Sequence, residues 1–360
     1  TVRRLYAISD EPWAAGKPEV DLSLPSAPDC IEGVPKGAPD GSQILLFRYC
    51  AGERPGIYVS DSAGSYRRFV ADGFGPDWNP ARLNANQRGL SGIWFEPTTA
   101  GQGFGFEAYP DLIGPGEGFL FGGWFSFART AGGVEAQRWY TLAGSVRGQS
   151  PVQQMAIYRN VGGILASPPA TTAQPVGSAS LSLSSCGRGV LDYSFSDGSG
   201  VNGRIELTRA LPGLTCALSA YAPNNADFEL SGFWHDPAIP GQGVFVEINP
   251  ATPLAFLVWY TYTANGATAD ASGQRWYSAQ LPYLTGTRVL GMPLYETTGG
   301  AFNQITDPVP VTREVGRATL SFLDCSHAQL SYVFSSGENS GRQGSINLAR
   351  AGTTPGHCQN

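Results

Sequence analysis

Apolar and polar residues alternate along much of the chain in short runs. Leu191, Tyr193 and Phe195 share one face of an extended segment, and Ile205, Leu207 and Arg209 share another. A period of two marks a strand with one buried face. Following each run to its bounding Gly, Pro, Asn or Asp predicts eight strands, near 91–96, 102–109, 119–128, 137–145, 152–159, 178–185, 190–196 and 203–210. No stretch carries a convincing helical period. Residues 1–89 read differently: Pro-rich and extended to Pro39, then three short strands over Ser42–Cys50, Gly56–Ser60 and Ser65–Ala71, then a linker from Pro76 to Arg88.

The eight-strand pattern occurs twice. Leu90-Ser91-Gly92-Ile93-Trp94 returns as Leu230-Ser231-Gly232-Phe233-Trp234, Gly101-Gln102-Gly103 as Gly241-Gln242-Gly243, and Gln137-Arg138-Trp139-Tyr140 as Gln274-Arg275-Trp276-Tyr277. A repeat of about 140 residues is the size of a domain and too long for a solenoid or propeller unit. The chain therefore divides into an N-terminal arm with a small β segment (1–89), a first repeat (90–220) and a second repeat (228–360). Eight consecutive strands with short connections suit an antiparallel up-and-down barrel, which closes on itself and leaves no sheet edge. The predicted fold class is all-β, with two tandem eight-stranded barrels.

Gly-x-Trp on the first strand with an Arg ending the last resembles the lipocalin and avidin group of meander barrels. The matching residues are Gly92, Trp94 and Arg209, then Gly232, Trp234 and Arg350. The resemblance implies that Trp94 with Arg209, and Trp234 with Arg350, seal the closed end of each barrel. Strand order agrees, because the start of strand one and the end of strand eight are neighbours in an even-stranded meander. The avidin biotin-contact pattern is absent. The tandem Gly-x-Trp, Gly-Gln-Gly and Trp-Tyr motifs also resemble repeats in secreted proteins of Gram-negative bacteria, a likeness that informs location more than activity.

Composition narrows the function classes. Charged residues make up 14% of the chain, the formal net charge is −6, and Lys and Arg never cluster beyond a pair such as Arg67-Arg68. Binding to nucleic acid or an anionic membrane surface thus has no electrostatic footprint. No apolar run approaches the ~18–20 residues of a membrane-spanning helix. Six cysteines, four at repeat-equivalent positions, predict Cys186–Cys216 and Cys325–Cys358 within the repeats and Cys30–Cys50 in the arm. An even set without Cys-x-x-Cys favours disulfides over metal and an oxidising compartment. With the chain opening on Thr1, the expectation is a secreted protein, extracellular, on a cell surface or periplasmic.

Chemistry is expected at the end opposite the seal, where the connections 97–101, 129–136, 160–177 and 197–202 meet, and in the second repeat 237–241, 263–273, 297–314 and 336–343. Repeated polar and aromatic residues fall there: Gln102, Arg138, Trp139 and Tyr158, matched by Gln242, Arg275, Trp276 and Tyr295. Aromatic walls with a few fixed polar groups suit a glycan or a small aromatic ligand, although barrels of this size can be filled by their own side chains. Glu107 and Glu247 are the carboxylates repeated within a strand. They read as catalytic acids only if a second carboxylate, Glu96 or Asp236, converges on the same cleft; otherwise they pair with Arg138 or Arg275, or face solvent. The three histidines have no metal-ligand spacing, Gly-x-Ser-x-Gly does not occur, and Gly101–Gly105 lacks the helix a dinucleotide loop requires. No metal or cofactor is implied. The expected function is non-enzymatic binding or surface structure. The alternatives are a filament or cell-surface subunit self-associating through the N-terminal arm, and an extracellular carbohydrate-active hydrolase.

Overall fold

The computed structural model describes residues 6–7, 20–21, 30–37, 43–61, 67–72, 83–148, 150, 152–211, 227–249, 252–356 and 358. The chain divides into two units, Thr1–Arg82 and Leu83–Asn360. The first contains β1 (Tyr6–Ala7) paired with β2 (Val20–Asp21), and a four-stranded antiparallel sheet of β3 (Cys30–Gly37), β4 (Gln43–Cys50), β5 (Gly56–Asp61) and β6 (Arg68–Ala71) in sequence order. Cys30 stands opposite Cys50 in the register of β3 and β4, and Cys50 is disulfide-bonded. Most of the stretch expected to be an extended, strand-donating arm lies outside the described residues.

The second unit holds both repeats. Strands β7 (Gly92–Phe95), β8 (Gly103–Gly114), β9 (Glu117–Phe127), β10 (Gln137–Arg147), β11 (Val152–Arg159), β12 (Gln174–Ser185), β13 (Arg188–Phe195) and β14 (Asn202–Arg209) close into one barrel. Strands β15 (Gly232–His235), β16 (Gly243–Asn249), β17 (Leu254–Tyr262), β18 (Gln274–Pro282), β19 (Val289–Thr298), β20 (Val311–Phe322), β21 (His327–Phe334) and β22 (Gln343–Arg350) close into another. Both are antiparallel meanders. The pairs Arg209 with Trp94, and Arg350 with Trp234, complete closure between the last and first strands. Leu83 and Ala85, read from sequence as linker, join the core of the first barrel.

At one end of each barrel the repeated Trp and Arg pack together. The Arg209 guanidinium lies 5.9 Å from the Trp94 ring and that of Arg350 4.5 Å from Trp234, each a cation–π contact of ~0.5–2 kcal/mol. A 3₁₀ turn precedes each first strand, at Arg88–Leu90 and Phe228–Leu230. The arginines bind its carbonyls: Nη1 of Arg209 donates to Gly89 O at 2.6 Å, and Nη2 of Arg350 to Glu229 O at 2.7 Å. Behind the second seal, the tail after β22 folds back so that Cys358 reaches Cys325, with Cα atoms 6.0 Å apart. Cys186 is also disulfide-bonded, while Cys216 lies outside the described residues.

Both barrels are filled. Trp94, Phe104, Phe106, Trp124, Leu142, Ile157 and Leu191 pack the first, and Trp234, Val244, Trp259, Tyr277, Met292 and Leu320 pack the second. Beside Trp94 a void of about 10 Å³ remains, room for about one water.

Candidate functional site at the barrel mouths

The outer faces of β7 to β10 and β15 to β18 carry a second layer of apolar side chains. Ile93, Phe125, Phe127 and Trp139 meet Phe233, Phe245, Val258, Tyr260, Tyr262 and Trp276 in one cluster between the barrels. Two glycines in the first barrel make room. A Cβ on Gly105 would lie 2.6 Å from Cγ of Phe245, and one on Gly123 2.6 Å from Cζ of Tyr260. Tyr260 therefore lies flat enough to donate to Gly123 O at 2.9 Å.

Most of the repeated polar residues sit here and work in reciprocal pairs. Gln137 Nε2 donates to Trp276 O at 3.0 Å and its Oε1 accepts from Trp276 N at 3.1 Å. Gln274 does the same to Trp139, at 2.8 and 3.2 Å. The indole of Trp139 donates to Thr261 O at 2.9 Å, and that of Trp276 to Ser126 O at 2.8 Å. Each glutamine lends the other barrel's strand two hydrogen bonds in a buried contact, where unmade bonds are costly. Trp139 and Trp276, expected to flank a ligand, instead lie 1% exposed in this contact.

The mouths are plugged reciprocally as well. The loop between β11 and β12 carries Leu165 into the core of the second barrel, and the loop between β19 and β20 carries Phe302 into the core of the first. Gln102 and Gln242 anchor these loops rather than a ligand. Gln102 Nε2 donates to Ala301 O at 3.2 Å while its Oε1 accepts from Asn303 N at 3.0 Å. Gln242 holds Ile164 O at 3.2 Å and Ala166 N at 3.0 Å in the same way. The two loop tips match in backbone, with Ala166 and Asn303 both at φ 46°.

Glu107 and Glu247 are also interface residues. Both are fully buried, and each accepts from a backbone N–H of the opposite barrel at 2.6 Å: Phe233 N for Glu107 and Ile93 N for Glu247. The repeat glycine allows this, because a Cβ on Gly92 would lie 2.9 Å from Oε1 of Glu247. Their cationic partners are not Arg138 or Arg275. Glu107 lies 2.8 Å from Arg88 and 3.5 Å from Arg350, and Tyr109 donates to it at 2.8 Å. Arg88, at the end of the predicted linker, also pairs with Glu229 at 2.7 Å. Glu247 faces Arg209 at 3.5 Å. Glu96 accepts from Thr98 in an exposed turn, and neither it nor Asp236 takes part in these hydrogen bonds or ion pairs.

The weaker neutralisation of Glu247 has a pH consequence. Burial pushes its carboxyl up from the ordinary glutamate value of 4.5, against the opposing pull of Arg209 and the Ile93 N–H. A folded pKa above the unfolded one means that the folded protein holds this proton more tightly. The contribution is full below pH 4.5 and is lost as pH rises through the folded value. Urea unfolding of wild type and Glu247→Gln should show the wild type losing stability relative to the variant from pH 4.5 upward. A difference that stays flat or grows over that range would refute the raised carboxyl.

Tyr158 and Tyr295 occupy a repeated β-bulge and are half-buried. Arg138 and Arg275 are the two remaining candidates, and their surroundings differ. A cavity of about 300 Å³ opens at the first mouth, among Phe127, Arg129, Arg138, Tyr140, Phe195 and Phe302. Asp197 also lines it, 3.4 Å from Arg159. At the second mouth Arg275 is bound by Glu338 at 2.7 Å. Among the described residues no group of three metal-ligating side chains occurs, and no helix is long and apolar enough to cross a membrane. Compared with protein-family models, curated proteins and solved structures, the chain matches none.

Proposed function

We propose that this is a secreted, non-enzymatic binding protein with a ligand pocket at the mouth of the first barrel, buttressed by a closed second barrel. The observation that carries this reading is the cavity of about 300 Å³ walled by Phe127, Tyr140, Phe195 and Phe302, with Arg138 at its edge. Aromatic walls around few polar groups are the usual make-up of a small-ligand site. The barrel interiors are too full to hold a ligand of their own. Disulfides at Cys50, Cys186 and Cys325–Cys358 suit an oxidising compartment.

A hydrolase built on Glu107 or Glu247 lacks support, since both carboxylates are buried between the barrels. Asp197, the carboxylate lining the cavity, is paired with Arg159. The test is a ligand-observed NMR screen of small aromatic and sugar fragments against the full chain and against Ser199→Trp, whose indole would fill the cavity. Binding lost in the variant is the expected result. An absence of binders, or binders indifferent to the substitution, would reject the pocket.

A further inference from the structure

The two mouths are copies of one design, and the second contains its own occupant. In β18, Arg275 Nη1 donates to Ser272 O at 2.6 Å and Gln274 O at 2.8 Å, which fixes the guanidinium against its own strand. Its free edge then takes a carboxylate, with Nε and Nη2 donating to Glu338 Oε2 at 3.0 and 2.7 Å. Thr263 donates to the other oxygen of Glu338. The next residue, Asn339, is 1% exposed and donates to the Tyr277 hydroxyl at 2.8 Å. Glu338 and Asn339 both come from the β21–β22 connection, which is longer than its counterpart in the first barrel. Phe195 N bonds Val201 O across one connection, and Phe334 N bonds Arg342 O across the other.

In the first barrel the same holder is present without the occupant. Arg138 Nη1 donates to Glu135 O at 2.6 Å and Gln137 O at 2.7 Å, matching Arg275. Among the described residues, nothing bonds its Nε or Nη2, and no carboxylate pairs with it. The Tyr140 hydroxyl, in the place of Tyr277, likewise has no partner among the described residues. Both side chains line the cavity, together with Arg129. Glu135 and Asp270 act on Arg138 through space, and Asp197 is held by Arg159. Ala128 stands where the second barrel has Thr263, so the first mouth offers one hydroxyl fewer.

We infer that the first mouth binds the carboxylate of a small organic acid, seated on the Nε/Nη2 edge of Arg138 as Glu338 is seated on Arg275, with an acceptor or donor beside it for Tyr140 and an apolar body against Phe195 and Phe302. This rests on the pocket proposed above and adds its chemistry. An Arg–carboxylate pair is charge-assisted and directional, and hydrogen bonds to charged groups are strong enough to discriminate by about tenfold or more. The carboxylate could belong to a uronic acid or to an acidic amino acid, and the two are separable by titration.

The full chain is titrated with benzoate, benzamide, glucuronate and N-acetylglutamate by calorimetry and by ¹⁵N NMR of the arginine side chains. Benzoate is expected to bind one site and shift Arg138 Nε–H, about tenfold tighter than benzamide. The better of glucuronate and N-acetylglutamate identifies the source. Arg138→Gln should remove the preference for benzoate over benzamide. Replacing the first connection by 336–343 of the second should abolish binding, whereas Glu338→Ala with Asn339→Gly should raise the number of benzoate sites from one to two. Circular dichroism confirms that each variant is folded, and the two opposite loop changes guard against loss through misfolding. Equal affinity for benzoate and benzamide, or an Arg138→Gln variant that keeps the preference, overturns the carboxylate while leaving the pocket. If none of the four probes perturbs the residues lining the cavity, the pocket itself is rejected.

Discussion

Truncating Phe302 to Ala is expected to destabilise the first barrel, to which Phe302 does not belong, by about 3 kcal/mol. The ring is 6% exposed and packs on Trp124 at 4.9 Å, Tyr193 at 5.7 Å and Phe195 at 5.8 Å, all from the first barrel. Removing it leaves a hole at the rim of that core. The effect falls at the low end of the ~3–5 kcal/mol range for buried Phe→Ala because water can enter from the neighbouring cavity. Urea unfolding gives the magnitude, and near-ultraviolet dichroism reports the disturbance of Trp124. The matching substitution, Leu165→Ala, should cost about 2–4 kcal/mol through the second barrel. A loss under about 1 kcal/mol for Phe302→Ala, or an unchanged aromatic spectrum, would mean that the loop rests on the mouth without plugging it.

Glu107→Ala is expected to be among the most damaging single substitutions, at about 3–5 kcal/mol. It takes from Arg350 its carboxylate, leaves Arg88 with Glu229 alone, and leaves Phe233 N without its acceptor. An uncompensated buried charge costs more than the pair it came from contributed. Glu247→Ala should cost less, since Glu247 neutralises Arg209 alone, at 3.5 Å, and burial works against its charged form. Chemical denaturation of the two variants at neutral pH decides the order. Equal losses, or a larger loss for Glu247→Ala, would remove the distinction between the two carboxylates.

The strands and their order were legible because turn residues punctuate them and because alternation is clean at Leu191, Tyr193 and Phe195. The sealing pairs came from the resemblance to meander barrels, with which the neighbouring first and last strands agree. The contact between the barrels was missed. Repetition of Gln102, Trp139 and their counterparts looked like a ligand site kept twice, whereas it reflects two surfaces that use the same residues on each other. A signal was present. Ile93-Trp94, Trp124-Phe125, Trp139-Tyr140, Val244-Phe245-Val246 and Leu257-Val258-Trp259 are adjacent apolar residues, so these strands have no wet face. A strand lining a barrel and facing solvent outside would alternate instead. The difference between the mouths was legible only as a small change in repeat spacing, from Cys186 and Cys325 to Gly203 and Gly344. Nothing in that spacing could say that the added residues reach back to Arg275.

The exchange of loops and glutamines has the form of an isologous interface, in which residue i meets j and j meets i, as in a two-fold symmetric dimer. Here the two partners are joined in one chain. Two identical subunits must change both mouths whenever they change one, because a single gene encodes both. A fused pair escapes that constraint: Gly105 can face Phe245, Ala128 can replace Thr263, and Glu338 can close one mouth while the other stays open. Covalent linkage thus lets a symmetric pair become an open half and a closed half, each free to diverge wherever it does not touch the other.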